Sequence, residues 1–351
     1  MTTFQDWLDV QNGTSEVETA FVKDEDARFI RNGRDPSAIA FGDLLDTEAF
    51  RAALILFRQG ILSSTGGPYS ISERQVGFAT FGEPHILTAM AASSSSTRNA
   101  WYAKVRCEHR VLRPEAYGGL VHNPPTPRNR DTPLSKSLLL SNKGLLDRVK
   151  AHNTMIYGGE ATFLLPMAAA EGSPVHLACP SGHAINVEPS SPLLKYPRKH
   201  AFLGPELGKR CYLKPLVVAN EDGTKRIPYV PVKGDVCNDE NGREVAGLTY
   251  EGEINKVVSN VIICRSHIGV HYRMDSVYGA LMGGTSAVRR LQEELPNLSE
   301  ASVAEGRNSL PPASYEFRLY SGKVLKLTEG TLSGSTGLCP RGHTRATTSV
   351  T

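Results

Sequence analysis

Residues 251–275 read EGEINKVVSNVIICRSHIGVHYRMD, and their spacing decides the fold class. Ile254, Val257, Val258, Val261 and Ile262 recur at i, i+3, i+4, i+7 and i+8. That stripe is the mark of a helix with one face in a core. Gly269 is the expected break. A second helix is expected from about 271 to 294, ending before Pro296. The pair puts Arg265 at the end of one helix and His271 at the opening of the next. Asp275 stands four residues after His271, so a helix places carboxylate and imidazole on one face.

Upstream, 44–62 (LLDTEAFRAALILFRQGIL) reads as a helix and 63–82 as a Gly-, Ser- and Pro-marked loop. Residues 84–112 read as helical, interrupted by the serine run at 93–96. The stretch 118–133 is turn-rich, 137–151 is a helix candidate, and 160–170 is apolar up to a Gly-Ser-Pro break. The region 186–249 has no clear period, and 222–244 reads as an irregular excursion. Near the C-terminus YEFRL and KVLKL flank Tyr-Ser-Gly, the pattern of a short hairpin. The expectation is a mainly α helical bundle with long loops, its site between facing helices. One catalytic domain is expected over 1–330, followed by a flexible tail at 331–351.

The chain has 351 residues and a net charge of +3, from 39 Lys plus Arg and 36 Asp plus Glu. Near-neutrality at this length gives no case for a nucleic-acid partner. There is no apolar run of membrane-spanning length and no secretory leader pattern, so the default expectation is a cytoplasmic protein without membrane contact. The six cysteines lie far apart without a CxxC pair, which predicts reduced thiols rather than a disulfide framework and leaves an isolated disulfide open. Cys107 and Cys264 read as helix-packing cysteines.

Three segments share one chemistry. WYAKVRCEHRVLRPE (101–115) holds Lys104, Arg106, Arg110 and Arg113 within ten residues. Alone it is an ordinary solvated basic face. EGSPVHLACPSGHA (171–184) carries His176 and His183, and Ser181 suits an N-cap whose helix aims free amides at an anion. Alone it is an ordinary loop-to-helix junction. ICRSHIGVHYRMD (262–275) adds Arg265, His271 and Asp275. Together they suit a tetrahedral oxyanion: forked donors from two arginines, a lysine point charge, and neutral donors from Ser181 and the Gly182 amide. His271 would bind the central atom and His183 would handle the proton opposite it.

The order Lys…Arg-Pro, Pro-Ser-Gly-His and Arg-x5-His-x3-Asp resembles the vanadium-dependent haloperoxidases and the type 2 phosphatidic acid phosphatase superfamily that shares their site. The likeness to algal and cyanobacterial vanadium bromoperoxidases is closer. It runs through TTFQDWLDVQNG, ARFIRNGRD, GFATFGEPHIL, WYAK, HRVLRPEAYGGLVHN, FLLPMAAAEGSPVH, INKVVSNV and GVHYRMD, from residue 2 to about 275.

The resemblance implies a helical bundle binding one vanadate per chain. His271 would be the vanadium ligand. Lys104, Arg113, Ser181, Gly182 and Arg265 would hold the vanadate oxygens. His183 would be the acid–base residue, His176 the second histidine of the bromoperoxidases, and Asp275 the group orienting His271. Trp101 matches the aromatic residue three positions before the lysine. The implied activity is oxidation of bromide, or the more easily oxidised iodide, by hydrogen peroxide to hypohalous acid, which halogenates small organic acceptors. A homo-oligomer is expected. A structural calcium is not readable from the sequence. The alternatives are a phosphate-ester hydrolase on the same site or a non-catalytic remnant.

Three departures bear on these expectations. The family's lysine-to-arginine distance is one residue shorter than Lys104 to Arg113, and the extra residue lies within VRCE. On a helix one residue is about 100° of rotation, so Arg106 is an alternative to Lys104. Four prolines between 189 and 205 make 186–215 a divergent segment. The family's large N-terminal helical half has no counterpart in this sequence.

Overall fold

A computed structural model describes residues 8–9, 12, 28–30, 35–37, 45–60, 69, 73–80, 82–122, 143–157, 177–188, 209–212, 217–239, 241–294, 314–319, 324–328 and 331–333. Among the described residues it is largely helical, with small antiparallel sheets and no closed one. The helices are α1 (Thr47–Arg58), α2 (Glu83–Tyr102), α3 (Pro114–His122), α4 (Lys143–Tyr157), α5 (Gly182–Val187), α6 (Tyr250–His267) and α7 (Arg273–Glu294). The apolar segment 160–170, most of the divergent segment and the tail beyond 333 lie outside the described residues.

The pair expected from 251–294 is α6 and α7. Thr249 caps α6 by accepting from the Gly252 amide at 3.0 Å. Ile254, Val258, Val261 and Ile262 of α6 are buried. Gly269 ends the helix at φ +83°, a left-handed conformation that suits a residue without Cβ. The opening of α7 has a cap that pairing Asp275 with His271 did not foresee. Asp275 accepts from the Tyr272 amide at 2.8 Å, as an acid at the third helical position does in a capping box.

The serine run does not interrupt α2, which continues through it. Ser93, Ser94 and Thr97 are buried. Serine's low intrinsic helix propensity yields here to tertiary contact, because small side chains let α2 approach α5 closely. The turn-rich reading from 118 is corrected for its first residues, since α3 starts at Pro114 and runs to His122. Proline is well placed there, at a position whose amide has no intrahelical partner.

The core gathers Ala49, Ala53 and Leu56 of α1, Ile86, Ala89 and Met90 of α2, Ala184 and Val187 of α5, the α6 stripe, and Ala280, Val288 and Leu291 of α7. Its centre is α5, which packs against α7, α2 and α6. A Cβ on Gly279 of α7 would stand 2.9 Å from the Ser181 carbonyl oxygen and 3.1 Å from the Ala184 Cβ. Glycine at 279 therefore sets how deeply α5 seats. At the far end, His85 Nε2 meets Glu294 Oε1 at 2.8 Å and ties the start of α2 to the end of α7.

The excursion at 222–244 is not irregular. It belongs to two hairpins, β1 (Val217–Ala219) with β2 (Arg226–Pro228) and β3 (Val236–Asn238) with β4 (Glu244–Ala246). Asn220, Asp222 and Asp239 accept from backbone amides in the turns. A disulfide joins Cys211 to Cys237. The expectation of reduced thiols is corrected at this pair. It was invisible to a search for clustered cysteines, because the partners are 26 residues apart. Cys264 is buried as expected of a packing residue, but Cys107 is exposed.

In the C-terminal part, β5 (Ser314–Arg318) pairs antiparallel with β6 (Val324–Thr328), and β7 (Thr331–Ser333) adds a third strand from the stretch expected to be loose. Among the described residues, no helix is long and apolar enough to cross a membrane.

Candidate active site

The site is assembled where α5, α6 and α7 meet the chain around Arg113. Two backbone contacts bring the sequence segments together. Leu112 and Leu177 form an antiparallel bridge, and the Ala178 amide donates to the Val111 carbonyl at 2.8 Å. The Ser181 amide donates to the Asp275 carbonyl at 3.1 Å, joining the start of α5 to the first turn of α7. Residues from three distant parts of the chain are thereby held in one place.

Arg113, Ser181, Gly182, His183, Arg265, His271 and Asp275 are all buried. Ser181 has extended backbone and caps α5, its hydroxyl accepting from the Ala184 amide at 3.4 Å. The first amides of a helix lack intrahelical acceptors, so that of Gly182 is available to a ligand. The Cys179–Pro180 peptide before them is cis. Trp101, at the end of α2, donates its indole N–H to the Pro180 carbonyl at 3.0 Å.

His271 Nδ1 lies 3.5 Å from Asp275 Oδ2. That length is too long for a strong hydrogen bond, and the closer bond of this carboxylate is the one to the Tyr272 amide. Burial pushes the His271 imidazole below its ordinary pKa. Asp275 opposes the shift, while the Arg113 and Arg265 guanidiniums reinforce it. The net effect favours a neutral ring with a lone pair to offer.

Lys104 is held differently. Residues 103–109 form a π-helix between α2 and α3, ended by Arg110 at φ +48°. A π turn spans one more residue than an α turn, and such turns recur at functional sites. Here it covers the VRCE stretch that follows Lys104. The Lys104 ammonium pairs with Glu108 and also interacts with Tyr278 of α7, one turn beyond Asp275. Its pKa is raised, chiefly by the hydrogen bond to Glu108. Lys104 is partly exposed. Arg106, the alternative cation, is exposed and sits over the Tyr102 ring, 5.5 Å from its centroid. His176 lies outside the described residues.

Sequence reasoning missed a polar cluster behind α5. Asn186 donates to the Gly182 carbonyl at 2.8 Å and accepts from Ser94 and Thr97 of α2. The signal was the serine run itself, which reads differently once its hydroxyls are counted as partners for a buried amide.

The chain was compared with known proteins. No family model matches it. A vanadium-dependent bromoperoxidase of Ascophyllum nodosum is 38% identical over 345 residues, covering 97% of this chain and 56% of that protein. One from Corallina pilulifera is 29% identical over 309 residues, covering 84% of this chain and 47% of the other. The homohexameric structure of the second vanadate-dependent bromoperoxidase of A. nodosum superposes with a TM-score of 0.76. It is 52% identical and covers 92% of this chain and 52% of that one. The chain thus spans about half the length of the relatives it matches. By sequence and by fold, it is similar to the algal vanadium-dependent bromoperoxidases over about half of their length.

Proposed function

We propose that this chain is a vanadate-dependent bromide peroxidase, converting hydrogen peroxide, bromide and a proton to hypobromous acid and water. The observation that carries the proposal is the buried His271 imidazole with two buried guanidiniums acting on it. That donor set fits a tetrahedral oxyanion. Arg113 and Arg265 present forks matched to anionic oxygens, the Ser181 hydroxyl has a proton to give, and the Gly182 amide points out of a helix start. With Nδ1 facing Asp275, His271 keeps Nε2 for the central atom. Vanadate, when bound, supplies Lewis-acid activation of hydrogen peroxide.

The chain's own residues do the rest. Arg113, Ser181, Gly182 and Arg265 fix the oxygens. Asp275 fastens the first turn of α7 through the Tyr272 amide and faces the His271 ring, so the ligand and its helix share one neighbour. His183, buried in the first turn of α5, exchanges the proton on the side opposite His271. Lys104 contributes a positive charge that Glu108 partly neutralises. His176 is the second histidine that the family likeness favours. The described helices form the haloperoxidase-like bundle of a single catalytic unit. Bromide and iodide are the halides, small organic molecules the acceptors, and the homohexameric relative supports a homo-oligomer.

The test is bromination of an indicator dye by hydrogen peroxide and bromide, before and after incubation with orthovanadate. Activity that appears only after vanadate supports the proposal. A folded protein that binds vanadate yet brominates nothing, and instead hydrolyses phosphate esters, overturns it in favour of a hydrolase on the same site.

A further inference from the structure

We infer that Asn186, oriented by Thr97 and Ser94, is a positioning residue for the peptide between Gly182 and His183. The inference rests on the function proposed above. It starts from the brevity of α5. A helix of six residues, Gly182–Val187, cannot sustain its own geometry, because nucleation costs more than so few bonds return. Something beyond its own backbone bonds must hold its first turn. Asn186 donates from Nδ2 to the Gly182 carbonyl oxygen at 2.8 Å. That oxygen and the His183 amide belong to one planar peptide unit. A grip on the oxygen therefore sets the orientation of the peptide that carries His183, the proposed proton-exchanging residue.

The grip is itself oriented. Asn186 Oδ1 is 2.9 Å from Ser94 Oγ and 3.1 Å from Thr97 Oγ1. Each hydroxyl has a single proton. Ser94 Oγ also lies 3.0 Å from Asp46 Oδ2, just before α1. The bond to a carboxylate is the stronger one for Ser94, so Thr97 is the hydroxyl left for the amide, its proton shared with the Ser94 and Ser93 carbonyls at 2.9 and 3.0 Å. With Asn186 Oδ1 accepting, Nδ2 is committed to the Gly182 oxygen. The chain of bonds runs from Asp46 through Ser94 and from Thr97 through Asn186 to Gly182, and every one of these residues except Asp46 is buried. It fastens the shortest helix of the site to α2, a helix of 20 residues.

The arrangement predicts compensation. With Thr97 truncated, the Ser94 proton can turn from Asp46 to Asn186. The two hydroxyls therefore back each other up, and their loss is more than additive. Replacing Asn186 by leucine leaves Ser94 bonded to Asp46 and Thr97 bonded to its own helix carbonyls. The fold loses little by that change, because no hydroxyl is stranded, whereas the orientation of the peptide is lost.

The experiment is titration of the 351-residue chain with orthovanadate, followed by vanadium NMR, alongside amide hydrogen exchange of residues 182–187 and thermal melting. Asn186→Leu is expected to weaken vanadate binding by about tenfold to a hundredfold, to speed exchange in 182–187, and to melt near the wild type. Thr97→Val combined with Ser94→Ala is expected to weaken binding by more than the product of the single changes. Thr97→Ser is expected to recover most of the affinity that Thr97→Val loses. Ser96→Ala, which removes an exposed hydroxyl of the same helix, serves as the control. Wild-type affinity and exchange in Asn186→Leu overturn the inference. If the wild type binds no vanadate, the proposed function falls, and exchange in 182–187 alone decides the positioning role: faster exchange in Asn186→Leu supports it, unchanged exchange overturns it.

Discussion

Two short segments of this molecule are ordered in opposite ways. Helix α5 has six residues, all buried, clamped by α2, α6 and α7. The excursion at 217–246 consists of strands of three residues, mostly exposed, held by backbone-capped turns and the Cys211–Cys237 disulfide. The first takes its shape from rigid neighbours, and the second largely from its own turns and a covalent link. The difference shows where precise chemistry can sit. A segment gripped from several sides can aim an amide or an imidazole at a ligand, whereas a stapled hairpin mainly keeps itself together. The residues of the proposed oxyanion site fall on the first kind of support, and none falls on the excursion.

The comparison can be broken at the seat of α5. Gly279→Ala puts a Cβ 2.9 Å from the Ser181 carbonyl oxygen, a backbone atom that cannot swing aside. The expected outcome is a shift of the Ser181 turn and a loss of vanadate affinity of about a hundredfold, seen by titration. A smaller change is expected on the other side. Cys211→Ser should lower the stability of the excursion by about 2 kcal/mol, read as faster amide exchange in 217–246, while vanadate affinity stays at the wild-type value. If opening the disulfide weakened vanadate binding as much as Gly279→Ala, the two regions would not be independent.

The smallest effect is expected at the far end of α7. Glu294 is held below the usual carboxylate range, first by the hydrogen bond from His85 and further by the charge of Arg290. A depressed carboxylate stabilises the fold above its unfolded value, near 4.5, and that stability is lost as pH falls through the folded value. Glu294→Gln should therefore cost about 1 kcal/mol at neutral pH. The gap to wild type should close in acid below pH 4.5. Melting curves over that range check both statements, and a gap that widens in acid contradicts them.

Much of the site was legible because its residues sit in strongly patterned sequence. The apolar stripe from Ile254 to Ile262 declares a helix, and a helix places Arg265 at its end. Asp275 was legible as a neighbour of His271, but its hold on the Tyr272 amide was not, because the two roles share a single carboxylate. The serines at 93–96 misled for a physical reason. Propensity describes an isolated helix, whereas these side chains are satisfied by contacts with another one. The hairpins of the excursion were hidden by strand length, since three residues are too few to show alternation. The π turn that follows Lys104 was not legible, because its pattern of side chains differs little from that of an α turn.

The central claim is that the buried His271 imidazole is the group that binds vanadium. It is tested most directly by titrating the wild type and His271→Ala with orthovanadate under identical conditions, with folding of both verified by melting. The account predicts saturable binding by the wild type and no retained vanadate in His271→Ala. Equal retention by the folded variant would contradict it.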